Sequence, residues 1–254
     1  MKKYAVITGA SSGIGAAFAR NLARQGYPLI LIARRKKRLE NLARKLPTEC
    51  EIIAADLTSL ETCRQIWQQL ADKNIEIFIN NAGLGDCGPF LTGSPDKEMQ
   101  MLDLNVRAVH FFTKCILQKM QKSDHGYLLN VASSAGLLPA GPYMAVYYAT
   151  KSYVASLTRA AAMELHECGS HVYVGCLCPG PVDTEFNQIA NVQFRLKGIQ
   201  PGFCVDYAFK QMKKRKVIII PAMHIKAVVI LGRFLPQNFY IRLVSHQQKK
   251  KIYP

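Results

Sequence analysis

A chain of 254 residues, 49% hydrophobic and 20% charged, carries enough apolar material for a large buried core, which excludes a disordered ground state; with no Pro-, Gly- or Ser-rich divider it reads as one domain over 1–254. The formal charge of +16 suits an anionic partner, but the basic runs Lys36-Lys37-Arg38, Lys213-Lys214-Arg215-Lys216 and Lys249-Lys250-Lys251 lack interleaved aromatics or a groove-reading helix, so no nucleic-acid binding is expected. The eight scattered cysteines form no CxxC pair and the six histidines no ligand cluster, so free thiols and no metal are expected; the apolar start is too short for a signal peptide, which implies a cytoplasmic protein.

In chain order, short β-branched or aliphatic runs recur at Tyr4–Thr8, Leu29–Ala33, Glu51–Ala55, Ile75–Asn80, Tyr127–Val131, His171–Leu177 and Val217–Ile220, with helix-compatible stretches between them. This alternation predicts an α/β fold, a Rossmann-type doubly wound and mainly parallel seven-stranded sheet with helices on both faces. Such a sheet binds its ligand beyond the carboxyl ends of its strands, where the winding reverses, so functional residues are sought just after strands. The first strand runs into Thr8-Gly9-Ala10-Ser11-Ser12-Gly13-Ile14-Gly15. Glycines there let the backbone approach a pyrophosphate, and the N–H groups and positive dipole of the following helix stabilise the anion.

Further along stand Asn80-Asn81-Ala82-Gly83 after the fourth strand, the pair Tyr147-x-x-x-Lys151, and Pro179-Gly180-Pro181-Val182-Asp183-Thr184 after the sixth. With the Gly-x-x-x-Gly-x-Gly turn, these four motifs in this order resemble the short-chain dehydrogenase/reductase family. The resemblance spans most of the chain and implies hydride transfer between a nicotinamide cofactor and a carbonyl or alcohol carbon of a small-molecule substrate. Gly9, Ser11, Ser12, Gly13, Ile14 and Gly15 then hold the pyrophosphate, and Asn81, Ala82 and Gly83 pass beside the adenine ribose. Asn80 serves equally well to tie neighbouring strands together. Asp56 and Leu57 fall where the family meets the adenine edge, with a helix N-cap as the alternative role for Asp56. Pro179, Gly180, Val182 and Thr184 border the nicotinamide.

The second strand ends in Ala33-Arg34-Arg35. An acidic residue there would repel a 2′-phosphate; Arg34 instead accepts one, with Arg38 and its basic neighbours adding field, so NADP(H) is expected. Tyr147 is the expected acid. Four residues on along one helix face, Lys151 supplies an ammonium that favours the phenolate and holds the nicotinamide ribose. Asn105 matches the family's helix asparagine, which holds a water linked to the lysine; a purely structural asparagine is the alternative. For the serine that orients the substrate oxygen, counting from Asn130 and back from Gly136 favours Ser133, whereas the family's usual separation from the tyrosine favours Ser134. Adjacent strand residues face opposite ways, and an extra residue in the loop Pro139-Ala140-Gly141-Pro142 is easier to accommodate than a shifted strand, so Ser133 is preferred.

The segment from Glu185 to Gly202 corresponds to the family's substrate lid. Its Phe186, Ile189, Val192, Phe194, Leu196 and Ile199, with Leu137, Leu138 and Tyr143, suggest an apolar or amphipathic substrate, such as a 3-oxoacyl thioester or a steroid-like ketone. The extension from Ala222 to Pro254 has apolar runs too short to span a bilayer. It either closes the core or a subunit contact, or lies as a basic amphipathic segment on a membrane or over the substrate. Family resemblance implies a homodimer or homotetramer built on the helices flanking the fifth strand. A non-catalytic NADPH-binding regulator and a basic membrane-surface adaptor are the rival readings.

Overall fold

Strands that are apolar at every position, rather than at alternate ones, are satisfied only where both faces of a sheet are covered. The computed structural model describes residues 2–190 and 198–252 and has this arrangement. Strands β1 (Tyr4–Thr8), β2 (Leu29–Ala33), β3 (Cys50–Ala54), β4 (Ile75–Asn80), β5 (Tyr127–Val131), β6 (Tyr173–Leu177) and β7 (Ile218–Ile219) form a seven-stranded sheet in the order β3-β2-β1-β4-β5-β6-β7. Every neighbouring pair is parallel. Ala5, Ile7, Leu29 and Leu31 turn to one face, against Phe18 and Leu22 of α1 (Gly13–Arg24), Leu39 of α2 (Lys36–Ala43) and Val205 of α8 (Pro201–Lys213). Val6, Ile30 and Phe78 turn to the other, against Ile66 of α3 (Leu60–Leu70) and Phe112 and Ile116 of α5 (Val109–Ser123). Each such side chain, fully withdrawn from water, contributes about 1.5–3 kcal/mol.

Three strands differ in extent from the sequence expectation. β6 starts at Tyr173 rather than His171, because the His171 N–H and ring are both taken by the Asp124 carboxylate (2.8 and 2.6 Å) at the left-handed end of α5. β7 keeps only two residues, and β3 begins one residue early, at Cys50. Between α4 (Pro95–Leu102) and α5 the chain makes a π-helical segment, Asp103–Ala108, which sequence periodicity does not reveal. The long α6 (Ala145–Glu167) follows β5 and a 3-10 turn, Ser134–Leu137. After β6 come the short α7 (Phe186–Ile189) and then α8.

The C-terminal extension folds as α9 (Met223–Leu231), a 3-10 turn over Gly232–Phe234 and α10 (Gln237–Ile252). Val229 of α9 joins Ala132, Val154 and Cys178 in one buried cluster, and Tyr240 and Val244 of α10 join Tyr147, Tyr148 and Met144 in another. Of the two expectations for this segment, core closure describes its inward side. No described helix is long and apolar enough to cross a membrane.

Candidate active site

Because β2 and β3 lie to one side of β1 and β4 to the other, the winding reverses between β1 and β4, and a crevice opens at their carboxyl ends. The loops that leave these two strands are stitched together there. The buried Thr8 hydroxyl accepts hydrogen bonds from the backbone N–H groups of Asn81 (2.9 Å) and Ala82 (3.0 Å), while Asn81 Nδ2 donates to the carbonyls of Thr8 (2.9 Å) and Gly9 (3.3 Å). Gly9 turns with φ +66°, and a Cβ on Gly15 would stand 2.3 Å from the Gly9 carbonyl oxygen, so the helix start approaches the strand end only with glycine there. Gly13 opens α1 against the Thr184 methyl group, and Ile14 packs into the core. The first turn of α1 carries no acidic residue and Ser12, at its cap, makes no side-chain cap bond, so the N–H groups of this helix start are not capped by its own side chain. This donor set fits a dinucleotide pyrophosphate.

Arg35, not Arg34, reaches this loop. Its guanidinium donates to Ser11 Oγ (3.1 Å) and Ser12 Oγ (2.7 Å) and pairs with Glu185 (3.0 Å), whose carboxylate also binds Arg38 at 2.6 Å. Arg34, the residue expected to take the 2′-phosphate, is 57% exposed and only loosely paired with Asp56 (3.8 Å). Adjacent side chains leaving a strand face opposite ways, so one arginine of the pair had to point outward. Alternation was the available signal, and it could not say which. Asp56 is not a helix cap either: it accepts from the Thr58 N–H and hydroxyl (both 3.0 Å), and Ser59 caps α3. The Leu57 side chain is buried in the core beside Cys63. Asn80 ties strands and helix together, donating to the Val109 carbonyl (3.1 Å) and Asn130 Oδ1 (3.2 Å).

At the other end of the crevice, α6 brings Tyr147 and Lys151 to one face, one turn apart and both buried. Lys151 Nζ donates to the Val131 carbonyl (3.0 Å) and stands 5.9 Å from the Tyr147 ring centroid. Ser133, whose backbone is still extended, is the serine that bears on the Tyr147 phenol, where it favours the ionised form. Ser134 begins the 3-10 turn and gives its N–H to the Pro179 carbonyl (2.8 Å). Burial dominates both titrations: it pushes Tyr147 up to about 12, against the pull of Ser133, and brings Lys151 down to about 8. Desolvation is the largest influence on the phenol and outweighs the pull of Ser133.

Asn105 sits wholly buried in the π-helical segment, giving Nδ2 to Leu84 O (2.8 Å) and Thr150 Oγ1 (3.1 Å) and accepting from the Leu84 N–H (2.8 Å). It thereby clamps the loop following Gly83 to α6. A Cβ at Gly83 would lie 3.2 Å from both Asn105 Oδ1 and Lys151 Nζ, so this carbonyl and the ammonium border the same small space. Pro179 accepts at its carbonyl from Ser133 Oγ (3.5 Å), Gly180 lies against Ile225 of α9, and Val182 bridges to Ile199. Over Tyr147 stands Phe186 of α7, its ring 5.6 Å away, with Leu84, Cys87, Leu138 and Met144 completing an apolar wall. Val192, Phe194 and Leu196 of the expected lid lie outside the described residues, as does the Ile189 side chain. Thr8 and Glu185 are site residues that the sequence did not single out, and Arg35 was expected only to add field near the 2′-phosphate.

A family model for the short chain dehydrogenase matches residues 3–193. The chain belongs to the short-chain dehydrogenase family. Among its relatives is the very-long-chain 3-oxoacyl-CoA reductase-B of Danio rerio, 32% identical over 195 residues, a match that covers 74% of this chain but 62% of that protein. Dehydrogenase/reductase SDR family member 11 of Bos taurus is 34% identical over 199 residues, covering 72% of this chain and 76% of the relative. Among solved structures, a short-chain dehydrogenase from Sphingobium yanoikuyae in complex with NADPH superposes with a TM-score of 0.81 at 30% identity, over 92% of this chain and 97% of the other. The family-matched span ends before α8, whereas the superposition on the Sphingobium yanoikuyae enzyme takes in 92% of this chain.

Proposed function

We propose that this protein is an NADPH-dependent reductase of a carbonyl group on an apolar or amphipathic small molecule, with Tyr147 as the proton donor. The observation that carries the reading is the buried pair Tyr147 and Lys151, one helical turn apart on α6, with Ser133 beside the phenol at the carboxyl ends of the strands. When bound, NADPH supplies the hydride. The N–H groups at the start of α1, with Ser11, Ser12, Gly13 and Ile14, would hold its pyrophosphate; Arg35 and Arg38, with Arg34 at the rim, would receive the 2′-phosphate; Asn81, Ala82 and Gly83 would flank a ribose and Asp56 the adenine edge. Lys151 would hold the second ribose, and Pro179, Gly180, Val182 and Thr184 the nicotinamide.

The chain's own chemistry is acid catalysis. A carbonyl oxygen that gains negative charge needs a donor at hydrogen-bond distance, and a phenol pushed up to about 12 keeps its proton until that charge develops. Ser133 orients the oxygen toward it. Phe186, Met144 and Leu138 exclude water and favour an apolar group beside the reacting carbon. Likeness to a 3-oxoacyl-CoA reductase supports the thioester arm of the substrate class, and a steroid-like ketone is the other arm. The same reading has the protein acting as a homodimer or homotetramer, with a peripheral membrane contact through its basic C-terminal segment.

The direct test is NADPH oxidation against a panel of ketones, aldehydes and 3-oxoacyl thioesters, with NADH as the comparison. Tyr147→Phe is expected to lower turnover roughly 10²–10⁴-fold while leaving NADPH binding intact. Near-normal turnover of this variant would reject the proton-donor role.

A further inference from the structure

Helices α9 and α10 are apolar on two sides, which a helix that merely closes a core is not. Their inward residues, Val229 on α9 and Tyr240 and Val244 on α10, pack on the buried clusters around the active site. The outward residues of the helices and of the turn that joins them are uncovered among the described residues. Met223, Leu231 and Phe234 form one stripe, 69%, 65% and 82% exposed, and Leu235, Phe239 and Leu243 form a second, with Phe239 at 51%. The two helices are held to each other where the Tyr240 hydroxyl donates to the Val228 carbonyl (3.0 Å).

Charge identifies what covers these stripes. The 48 residues after Asp206 contain eleven Lys and Arg and no Asp or Glu, so most of the +16 net charge is gathered at this end. Lys226, Arg233 and Arg242 stand exposed among the apolar residues, and none forms an ion pair among the described residues. A second copy of this chain docking patch to patch would bring like charges together with no carboxylate to pair them. Single side chains that project, rather than line a groove, suit a fluid surface that closes around each of them.

From these observations we propose that α9 and α10 form a docking surface for an anionic membrane. Phe234, Leu231 and Phe239 enter the headgroup boundary, while Lys226, Arg233 and Arg242 meet lipid phosphates and carboxylates. The inward side of the same helices walls the pocket beside Tyr147, so docking sets that pocket against the bilayer, where an amphipathic substrate resides. This rests on the membrane contact of the proposed function and gives it residues and a lipid charge, while its test needs no turnover and so stands or falls apart from the reductase activity.

The full chain is incubated with sedimentable vesicles of phosphatidylcholine alone or with phosphatidylglycerol added. Binding is expected on the anionic vesicles only, weakening as salt rises from about 0.05 to 0.5 M as charges are screened. Phe234→Ser with Phe239→Ser is expected to weaken it about tenfold or more, since both apolar anchors are lost. Charge reversal of Lys226, Arg233 and Arg242 to Glu is expected to abolish it. Retained NADPH binding and an unchanged unfolding midpoint show that each variant is folded. The proposal is overturned if anionic vesicles do not bring the chain down, if they do so equally well with the serine variant, or if that variant instead changes the subunit number, which would make the patch a contact between copies.

Discussion

The same burial shifts Lys151 and Tyr147 in opposite directions. For Lys151, a value brought down from 10.5 to about 8 means that the folded state binds this proton less tightly than the unfolded chain. The folded protein then carries the full burial penalty below pH 8 and loses it progressively as pH rises toward 10.5. Tyr147, raised from 10.0 to about 12, has the reverse effect: stability falls as pH passes from 10 to 12, where only the unfolded chain gives up its proton. Lys151→Met is therefore expected to unfold at higher urea at pH 7, by about 1–3 kcal/mol after allowing for the Val131 carbonyl it leaves without a donor. Urea titrations at pH 7 and 10.5 measure this, with the gain absent at the higher pH. A variant no more stable than the parent at pH 7 would mean that the pocket compensates the ammonium. The spacing of Tyr147 and Lys151 was legible because i and i+4 share a helix face; the burial of the phenol was not, because the Phe186 ring packed against it comes from a distant segment of the chain.

At the scale of elements, α10 is joined to α6 by one buried polar contact. Gln248 Nε2 donates to the Tyr148 hydroxyl (2.5 Å), and the Gln248 carbonyl oxygen has no protein partner among the described residues. Burial raises Tyr148 above the ordinary phenol range, so this hydroxyl is neutral and needs a hydrogen bond. Gln248→Met should destabilise by about 1–3 kcal/mol, because it orphans that hydroxyl, and adding Tyr148→Phe should recover most of the loss. Additive losses in a double-mutant cycle of unfolding free energies would show that the two helices are not coupled through this pair. Sequence pattern located both partners on helices but could not join them across the chain. The π-helical segment was likewise hidden: Asp103–Ala108 has the composition of ordinary helix, and only the three hydrogen bonds of Asn105 with Leu84 and Thr150 reward the extra residue.

For the whole molecule, the outward side of α6 is the counterpart of the charged C-terminal end. Ala145, Ala149, Ser152 and Ser156 are exposed there, beside a groove of about 620 Å³ lined by Leu138, Pro142 and Tyr148. Small side chains let a second helix approach closely, and this face carries little charge, which suits the expected contact between copies better than the basic patch does. Ala149→Arg is expected to convert the oligomer to monomer in analytical ultracentrifugation at micromolar concentration. A parent chain that already sediments as a monomer, or a variant that stays assembled, would place the contact elsewhere or remove it.

What the sequence determined by itself is whatever depends on neighbours along the chain: the strands and their burial on both faces, the glycine turn after Thr8, and the pairing of Tyr147 with Lys151. These follow from side-chain period and backbone freedom, which are local. Tertiary structure alone decided which arginine reaches the glycine loop, that Glu185 answers Arg35 and Arg38 from some 150 positions away, and that Ser133 rather than Ser134 meets the tyrosine. It also decided that the two C-terminal helices are greasy on both sides. Each of these turns on which surface a neighbouring element presents, and that information exists only once the sheet has brought distant segments together.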